Sequence, residues 1–455
     1  MNYDEAIAYI ESLSPTLGRP GLERFSLFMR DAQKLQDSYP CLHVAGTNGK
    51  GSVVCMLAET LMQAGLHTGR YIGPHLMSYN ERFEVDGREI ANARLAELCS
   101  DLRNRSEAFA RRYPEYGELT WFELMTAIAF EYFAQEKVQA AVFEVGLGGL
   151  YDATNVITAP IATAIVSVSL DHMQILGPTI KDIAFEKAGI IKENIPLLTA
   201  CTGEALELIV EEAKKKSAPV ICVNESLELI CASSSSKAQS YRDRLEKLLS
   251  QSFSADNPDC SVKDSVCKRK GYQRINAAVA AAVLGIWELQ TQKKCLHKFD
   301  SALSSYFWPG RMQFFEKEQL ILDGAHNEAG ARALKESLDK LFPNKERCYI
   351  LSFYQTKRFQ EILSALLKPD DRVFASAAKG RRPVVPAEEV IRQAAELGAK
   401  GQPFASLDEA IAAAIKESPA ECLKVATGSF ATVSAALRHL GFGSVEESRR
   451  YSRNF

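Results

Sequence analysis

Cys41-Leu42-His43-Val44-Ala45-Gly46-Thr47-Asn48-Gly49-Lys50-Gly51-Ser52 is the stretch on which the fold turns. Cys41, Leu42, Val44 and Ala45 make a short apolar run, which predicts a buried strand. Gly46, Gly49 and Gly51, with Lys50 and Ser52 among them, predict a turn, and the residues over 53–64 predict a helix after it. Backbone N–H groups in a glycine-rich turn between strand and helix surround phosphate oxygens, and the helix terminus adds positive potential. Lys50 would neutralise the outer phosphates, and the Ser52 hydroxyl would reach Mg²⁺. The spacing is not the strict phosphate loop, because the first glycine stands three residues before Gly49 rather than about five. Strand, helix, lysine and serine together carry the reading of a nucleoside triphosphate site.

At 455 residues the chain is too long for one ordinary domain, and two are expected, over 1–307 and 308–455. Its 46% hydrophobic and 24% charged residues are those of a globular protein. A net charge of -3 gives no electrostatic reason to expect nucleic acid as a partner. Met1-Asn2-Tyr3-Asp4-Glu5 has neither a basic region nor an apolar core, so no signal peptide is read there. The longest uncharged run, 153–170, contains Pro160 and several Thr and Ser residues, which argues against a membrane span. Eleven cysteines without a Cys-x-x-Cys pair read as free thiols, and the expected compartment is a reducing cytoplasm.

Strand-like segments at 42–45, 140–145, 161–168, 196–199 and 219–223 alternate with helical patterns at 53–64, 91–112, 119–135, 180–188 and 203–216. This alternation predicts an α/β fold, a mostly parallel sheet covered by helices, with ligands at the carboxyl ends of the strands. Over 226–270 the pattern weakens into a serine run at 233–236, a turn at 256–259 and the basic Lys268-Arg269-Lys270. Leu245, Leu248 and Leu249 predict one or two amphipathic turns there, and the segment reads as a variable surface excursion. An apolar helix over 275–289 follows, and Trp308-Pro309-Gly310-Arg311 marks the expected linker. Beyond it, strands at 320–322, 348–351, 372–375 and 422–426 alternate with helices at 329–341, 359–367, 387–397, 407–416 and 430–440. That series predicts a smaller Rossmann-like α/β domain, without the Gly-x-Gly-x-x-Gly of a dinucleotide site.

Glu144 ends one predicted strand before Val145-Gly146-Leu147-Gly148-Gly149 and so faces the phosphate-loop crevice, which suits a Mg²⁺ ligand. A solvent-facing glutamate at a loop entrance is the plainer alternative. Asp171-His172 follows another strand and offers a weaker second metal contact, since imidazole is an unusual ligand for Mg²⁺. Glu186 and Lys187 read as ordinary helix charges before a glycine stop. Asp323-Gly324-Ala325-His326-Asn327 reads as a ligand-contacting turn, with helix capping open for Asn327. Thr427-Gly428-Ser429 suits an anion site and a plain helix cap equally.

The residues His43 to Ser52 resemble the signature of folylpolyglutamate synthase and dihydrofolate synthase, in the Mur ligase superfamily. Further blocks occur in that family's order: Pro74-His75-Leu76 with Tyr79, Glu81 and Arg82; Phe122-Glu123; Glu144 to Gly149; Asp152-Ala153-Thr154-Asn155; and Asp171-His172. Leu176-Gly177, Glu186 to Ile190, Gln273 with Asn276-Ala277, Pro309-Gly310-Arg311, Asp323 to Asn327 and Thr427-Gly428-Ser429 continue the series. The resemblance implies that Thr47, Asn48, Gly49, Lys50, Gly51 and Ser52 hold ATP, with Asn276, Arg311 and Asp323 also contacting it. It implies Mg²⁺ ligation, by two ions, at Ser52, Glu144, His172 and Lys187, the lysine as a carbamate. It places the pteroate or folate substrate at Pro74, His75, Arg82, Phe122, Asp152 and Ala153, and L-glutamate near His326 and Ser429. Lys50, Lys187 and His326 are then the expected catalytic residues, in a monomer.

Four positions depart from the family pattern: Gly73 for a serine, Leu150-Tyr151 where an arginine is usual, Glu328 for a proline, and Lys357 without a neighbouring aspartate. The implied function is ATP-dependent addition of L-glutamate to dihydropteroate, a folyl-glutamate, or both, through an acyl phosphate. The alternatives are another amide ligase of the superfamily and a non-catalytic nucleotide-binding homologue.

Overall fold

The computed structural model describes residues 1–14, 21–232, 235–257, 259–378 and 383–454. It falls into two units: 1–168 with 179–267 and 275–305, and 169–178 with 268–274 and 306–455. Strands of the first unit are, in chain order, β1 (Cys41–Ala45), β2 (Thr68–Tyr71), β3 (Phe83–Val85), β4 (Arg88–Glu89), β5 (Ala140–Glu144), β6 (Ala162–Ile165), β7 (Leu197–Thr199), β8 (Val220–Val223) and β9 (Leu229–Cys231). They lie in the order β4-β3-β2-β5-β1-β6-β7-β8-β9. The pairs from β2 to β8 are parallel, and β3, β4 and β9 close the edges antiparallel.

Every residue of β1 is buried, which is why the strand reads as continuous rather than alternating. One core packs Phe25, Phe130, Phe133 and Phe143, and another packs Ile165, Ile190, Ile209 and Val220. The helices Lys50–Gln63, Asn92–Arg112, Trp121–Gln135, Ile180–Ala188 and Gly203–Lys215 fall on the expected patterns. β2 was not anticipated: its Thr68-Gly69-Arg70-Tyr71 sequence carries no apolar run, and it owes its place to pairing with β5.

The excursion over 226–270 is more ordered than its composition predicts, holding β9 and the helices Ser236–Gln251 and Val262–Lys268. Leu245 and Leu249 are buried, and Leu245 packs so close to Gly285 that a Cβ there would meet its Cδ1 at 2.1 Å. Two leucines on one stripe suffice because a glycine on the facing helix admits them. Ser233 and Ser234 of the serine run and Pro258 of the expected turn lie outside the described residues.

The second unit contains β10 (Gln313–Phe315), β11 (Leu320–Leu322), β12 (Arg347–Leu351), β13 (Arg372–Ser376), β14 (Lys400–Phe404), β15 (Leu423–Thr427) and β16 (Arg453–Asn454), in the order β14-β13-β12-β15-β11-β10-β16. Five are parallel, and β10 and β16 pair antiparallel. The helices Glu328–Leu341, Phe359–Leu366, Ala387–Glu396, Leu407–Glu417 and Phe430–His439 connect them as expected. Trp308 to Arg311, expected as a linker, is built into this unit: Trp308 N donates to Asn454 Oδ1 at 2.9 Å and Gly324 N to Gly310 O at 2.7 Å. The eleven cysteines are thiols, none of them in a disulfide, and no described helix is long and apolar enough to cross a membrane.

Candidate active site

β1 runs between β5 and β6, so the loop at its carboxyl end lies where connections leave to opposite sides of the sheet, the place such folds keep for ligands. The chain turns through Gly46 and Gly49 into the Lys50–Gln63 helix. Gly49 has a φ of 87°, and a Cβ there would stand 2.4 Å from Asn276 Oδ1 and 2.8 Å from Val166 Cγ1. Asn276 therefore packs directly on the loop. Ser167 clamps it through three hydrogen bonds. Its carbonyl accepts from Thr47 N at 2.8 Å, and its hydroxyl accepts from Asn48 N at 3.0 Å and donates to Asn48 O at 2.9 Å. Lys50 Nζ donates to Gly46 O at 2.8 Å and to Thr47 O at 3.3 Å. Ser52 is buried in the first turn of the helix.

Glu144 closes β5 in register with Val44, is 5% exposed, and accepts from Gly73 N at 3.2 Å on Oε2. A buried hydroxyl and carboxylate flanking a phosphate loop are the hard oxygen donors that suit Mg²⁺. The loop after Glu144 gathers the other expected residues. A Cβ on Gly146 would meet the Phe122 ring at 2.3 Å, and Asp152 Oδ2 accepts from Leu147 N at 2.9 Å. Asp152 Oδ1 accepts from Thr154 N at 3.0 Å and Oγ1 at 2.5 Å. Burial raises the Asp152 pKa, and these hydrogen bonds oppose it. Ala153 follows in the same buried turn.

Lys187 is 4% exposed near the end of the Ile180–Ala188 helix, and that end is stitched to the same loop. Leu150 N donates to Glu186 O at 2.7 Å, and Asn155 Nδ2 donates to Gly189 O at 3.2 Å. The plain reading of Lys187 as an exposed helix charge is thus corrected: the glycines at 149 and 189 let loop and helix touch, and the lysine is enclosed.

After Pro74, Arg82 Nε donates to His75 Nδ1 at 2.9 Å, and its guanidinium lies 5.0 Å over the Trp121 ring. Burial and the Arg82 charge push the His75 pKa down to about 3, leaving a neutral ring whose Nδ1 accepts. Gly73 makes this possible, since a Cβ there would stand 2.9 Å from Arg82 Nη1.

In the second unit, the turns after β11, β12 and β15 meet at neighbouring strand ends. Asp323 is buried and accepts from Tyr272 Oη at 2.7 Å, Met312 N at 2.9 Å and Ala325 N at 2.9 Å. Burial raises its pKa against the nearby Arg311, whose guanidinium stacks 4.8 Å over Phe430. His326 Nδ1–H donates to Gly324 O at 2.8 Å, since a carbonyl can only accept.

Asp171 and His172 belong to this unit. Asp171 accepts from Lys357 Nζ at 2.5 Å and Asn327 Nδ2 at 2.9 Å, and His326 Nε2 lies 3.3 Å away. Burial would raise the Asp171 pKa, but His326, Lys357 and His172 outweigh it and hold the carboxyl well below the usual range. Ligand atoms of Asp171, His172 and His326 lie within 4.8 Å of one another, and the Lys357 ammonium already supplies a cation among them. Asn327 and Ser429 both cap helices, accepting from Gly330 N at 2.8 Å and Thr432 N at 3.2 Å.

The family model for the dihydrofolate synthetase C-terminal domain matches residues 312–378. A Bacillus subtilis dihydrofolate synthase/folylpolyglutamate synthase is 36% identical over 80% of this chain and 82% of its own. A Lacticaseibacillus casei folylpolyglutamate synthase is 32% identical over 97% of this chain and 99% of its own. The chain belongs to the folylpolyglutamate synthase/dihydrofolate synthase family. A crystal structure of a bifunctional member with Mn, AMPPNP and L-glutamate bound superposes with a TM-score of 0.76, at 26% identity, over 97% of this chain and 98% of that one.

Within this family member, the first unit holds the phosphate loop from Thr47 through Gly51 to Ser52, with Asn276, Glu144, Lys187, Pro74, His75, Arg82, Phe122, Asp152 and Ala153. The second unit holds His172, Arg311, Asp323, His326 and Ser429. Ser167 and Tyr272 have no place in the motif reading, which names Lys357 but does not pair it with Asp171. A serine clamp, a tyrosine on an aspartate and a lysine on another leave no periodic or spacing signal, because each partner is over a hundred, about fifty or nearly two hundred residues away.

Proposed function

We propose that the chain adds L-glutamate in amide linkage to both dihydropteroate and folyl-glutamates, using ATP and two divalent ions. ATP-dependent glutamate ligation in folate metabolism is the work of its family. The observation that supports the pterin side is the convergence of Phe122 and Asp152 on Gly146 and Leu147, two and three residues beyond Glu144. An aromatic face with a fixed carboxylate suits a flat, amine-bearing ring. The bifunctional relative solved with Mn, AMPPNP and L-glutamate supports the same assignment.

The substrate carboxylate attacks the γ-phosphorus, ADP leaves, and an acyl phosphate remains. The glutamate amine then attacks the acyl carbon, phosphate leaves, and the amine gives up its proton. Lys50 neutralises charge that builds on the transferring group, which is most of what a protein contributes to phosphoryl transfer. Ser52 and Glu144 would hold one ion, and Lys187, as a carbamate, would serve a second; divalent ions supply Lewis-acid stabilisation of the phosphoryl oxygens. Arg311 and Asp323 would hold the nucleotide, and His326 and Ser429 the incoming glutamate.

Phosphate release with ATP and glutamate tests this, comparing dihydropteroate, tetrahydrofolate and a cell-wall precursor. Release with both pterins is the expected result. Release with dihydropteroate alone leaves only the dihydrofolate synthase activity, and release with the cell-wall precursor alone sinks the proposal.

A further inference from the structure

His43 sits at the centre of β1, wholly buried, in a strand where an apolar residue would pack as well. Its Nε2 lies 2.8 Å from Thr154 Oγ1, while Nδ1 has no partner among the described residues. Thr154 Oγ1 also lies 2.5 Å from Asp152 Oδ1, an oxygen that accepts from Thr154 N at 3.0 Å. A carboxylate has no proton to give, so the single hydroxyl proton of Thr154 goes to Asp152, and the hydroxyl oxygen must accept from His43. That order of donors assigns the Nε2–H tautomer and leaves Nδ1 a bare lone pair. Burial, with Lys192 nearby, pushes the His43 pKa down to about 3 and keeps the ring in the neutral form this tautomer requires.

We propose that His43 is a positioning residue for the pteroate-side substrate, acting through Thr154 to hold the Asp152 carboxylate. This rests on the reading of Asp152 as a substrate contact. The chain of donors starts in the strand that carries the phosphate loop and ends at the carboxylate. Asp152 Oδ2 is held separately by Leu147 N at 2.9 Å, beside the Gly146 on which Phe122 rests. Two oxygens fixed from two directions leave the carboxylate plane one orientation against that ring. Losing the Thr154 hydroxyl leaves Oδ1 with only the Thr154 N–H, at 3.0 Å, and loosens the carboxylate plane on that side.

Thr154→Val keeps the shape and removes the proton, and His43→Leu removes the first donor. Each is expected to raise KM for dihydropteroate about tenfold, leaving KM for ATP unchanged. Thr154→Ser, and His43→Gln with its amide N–H near the Nε2 place, should restore dihydropteroate KM to within about twofold. On an Asp152→Ala background, Thr154→Val should add nothing further, because the group it positions is gone. Thr154→Val is near-isosteric, so the test stands even if His43→Leu fails to fold. If Asp152→Ala raises dihydropteroate KM but Thr154→Val does not, the relay is wrong and the Asp152 reading survives. Equal rises in both KM values overturn the relay too. A neutral Asp152→Ala overturns both.

Discussion

Gly49 is held to glycine by two separate facts, its positive φ and the Asn276 and Val166 atoms that occupy the place of a Cβ. A left-handed backbone costs an L-residue about 1–2 kcal/mol, and the collision would push Asn276 off the loop. Gly49→Ala should lower kcat/KM for ATP on the order of 100-fold, read from an ATP titration; an unchanged KM for ATP would refute the packing argument. Lys50 makes a different prediction. Its ammonium now rests on the carbonyls of Gly46 and Thr47, so Lys50→Met removes a charge and leaves the loop backbone bonded to Ser167. The ADP formed in a single turnover should appear about 10²–10³-fold more slowly, with the far-UV spectrum unaltered.

At the scale of elements, the helix Ser236–Gln251 separates structure from chemistry. Leu245 is fully buried against Gly285, nine residues beyond Asn276 on the same helix. Leu245→Ala should cost about 2–5 kcal/mol of stability, seen as a lower denaturant midpoint, while kcat stays within about twofold. A fall in kcat with the midpoint unchanged would reassign the segment. Asn327 joins two tasks at one helix start, capping through Oδ1 and donating to Asp171 through Nδ2. Asn327→Asp keeps the cap and sets a second carboxylate against Asp171. It should lose little from the helix but disturb the Lys357 and His326 contacts, so a raised KM for glutamate with a small shift in Tm is the expected signature.

At the scale of the whole molecule, acid should unfold the chain earlier than its carboxylates alone would suggest. His43 and His75 both have pKa values pushed down to about 3 by burial, against about 6.5 in an unfolded chain. Between those values the unfolded state binds the extra protons, so the stability they contribute is present above pH of about 6.5 and falls as pH drops, by about 1.4 kcal/mol per pH unit for each ring. Asp171, held low, adds its own loss only further down, as pH falls below its unfolded value. Thermal midpoints should hold from pH 7.5 to about 6.5 and decline from there to pH 5, and His43→Gln should shallow the decline; a profile that stays flat below pH of about 6.5 contradicts the burial of both rings. The parts of this protein that sequence alone determined are those written locally. The apolar run before Gly46, the alternation of strand and helix in both halves, and the glycine, lysine and serine of the loop follow from spacing and from which residues tolerate a tight turn. Only tertiary structure decided that β2 joins the sheet, that Lys187 is enclosed, that Lys357 meets Asp171 and that His43 reaches Asp152 through Thr154. Those depend on contacts between residues far apart in the chain, made by strand order and by glycines that let backbones touch, and no local period encodes a partner that distant.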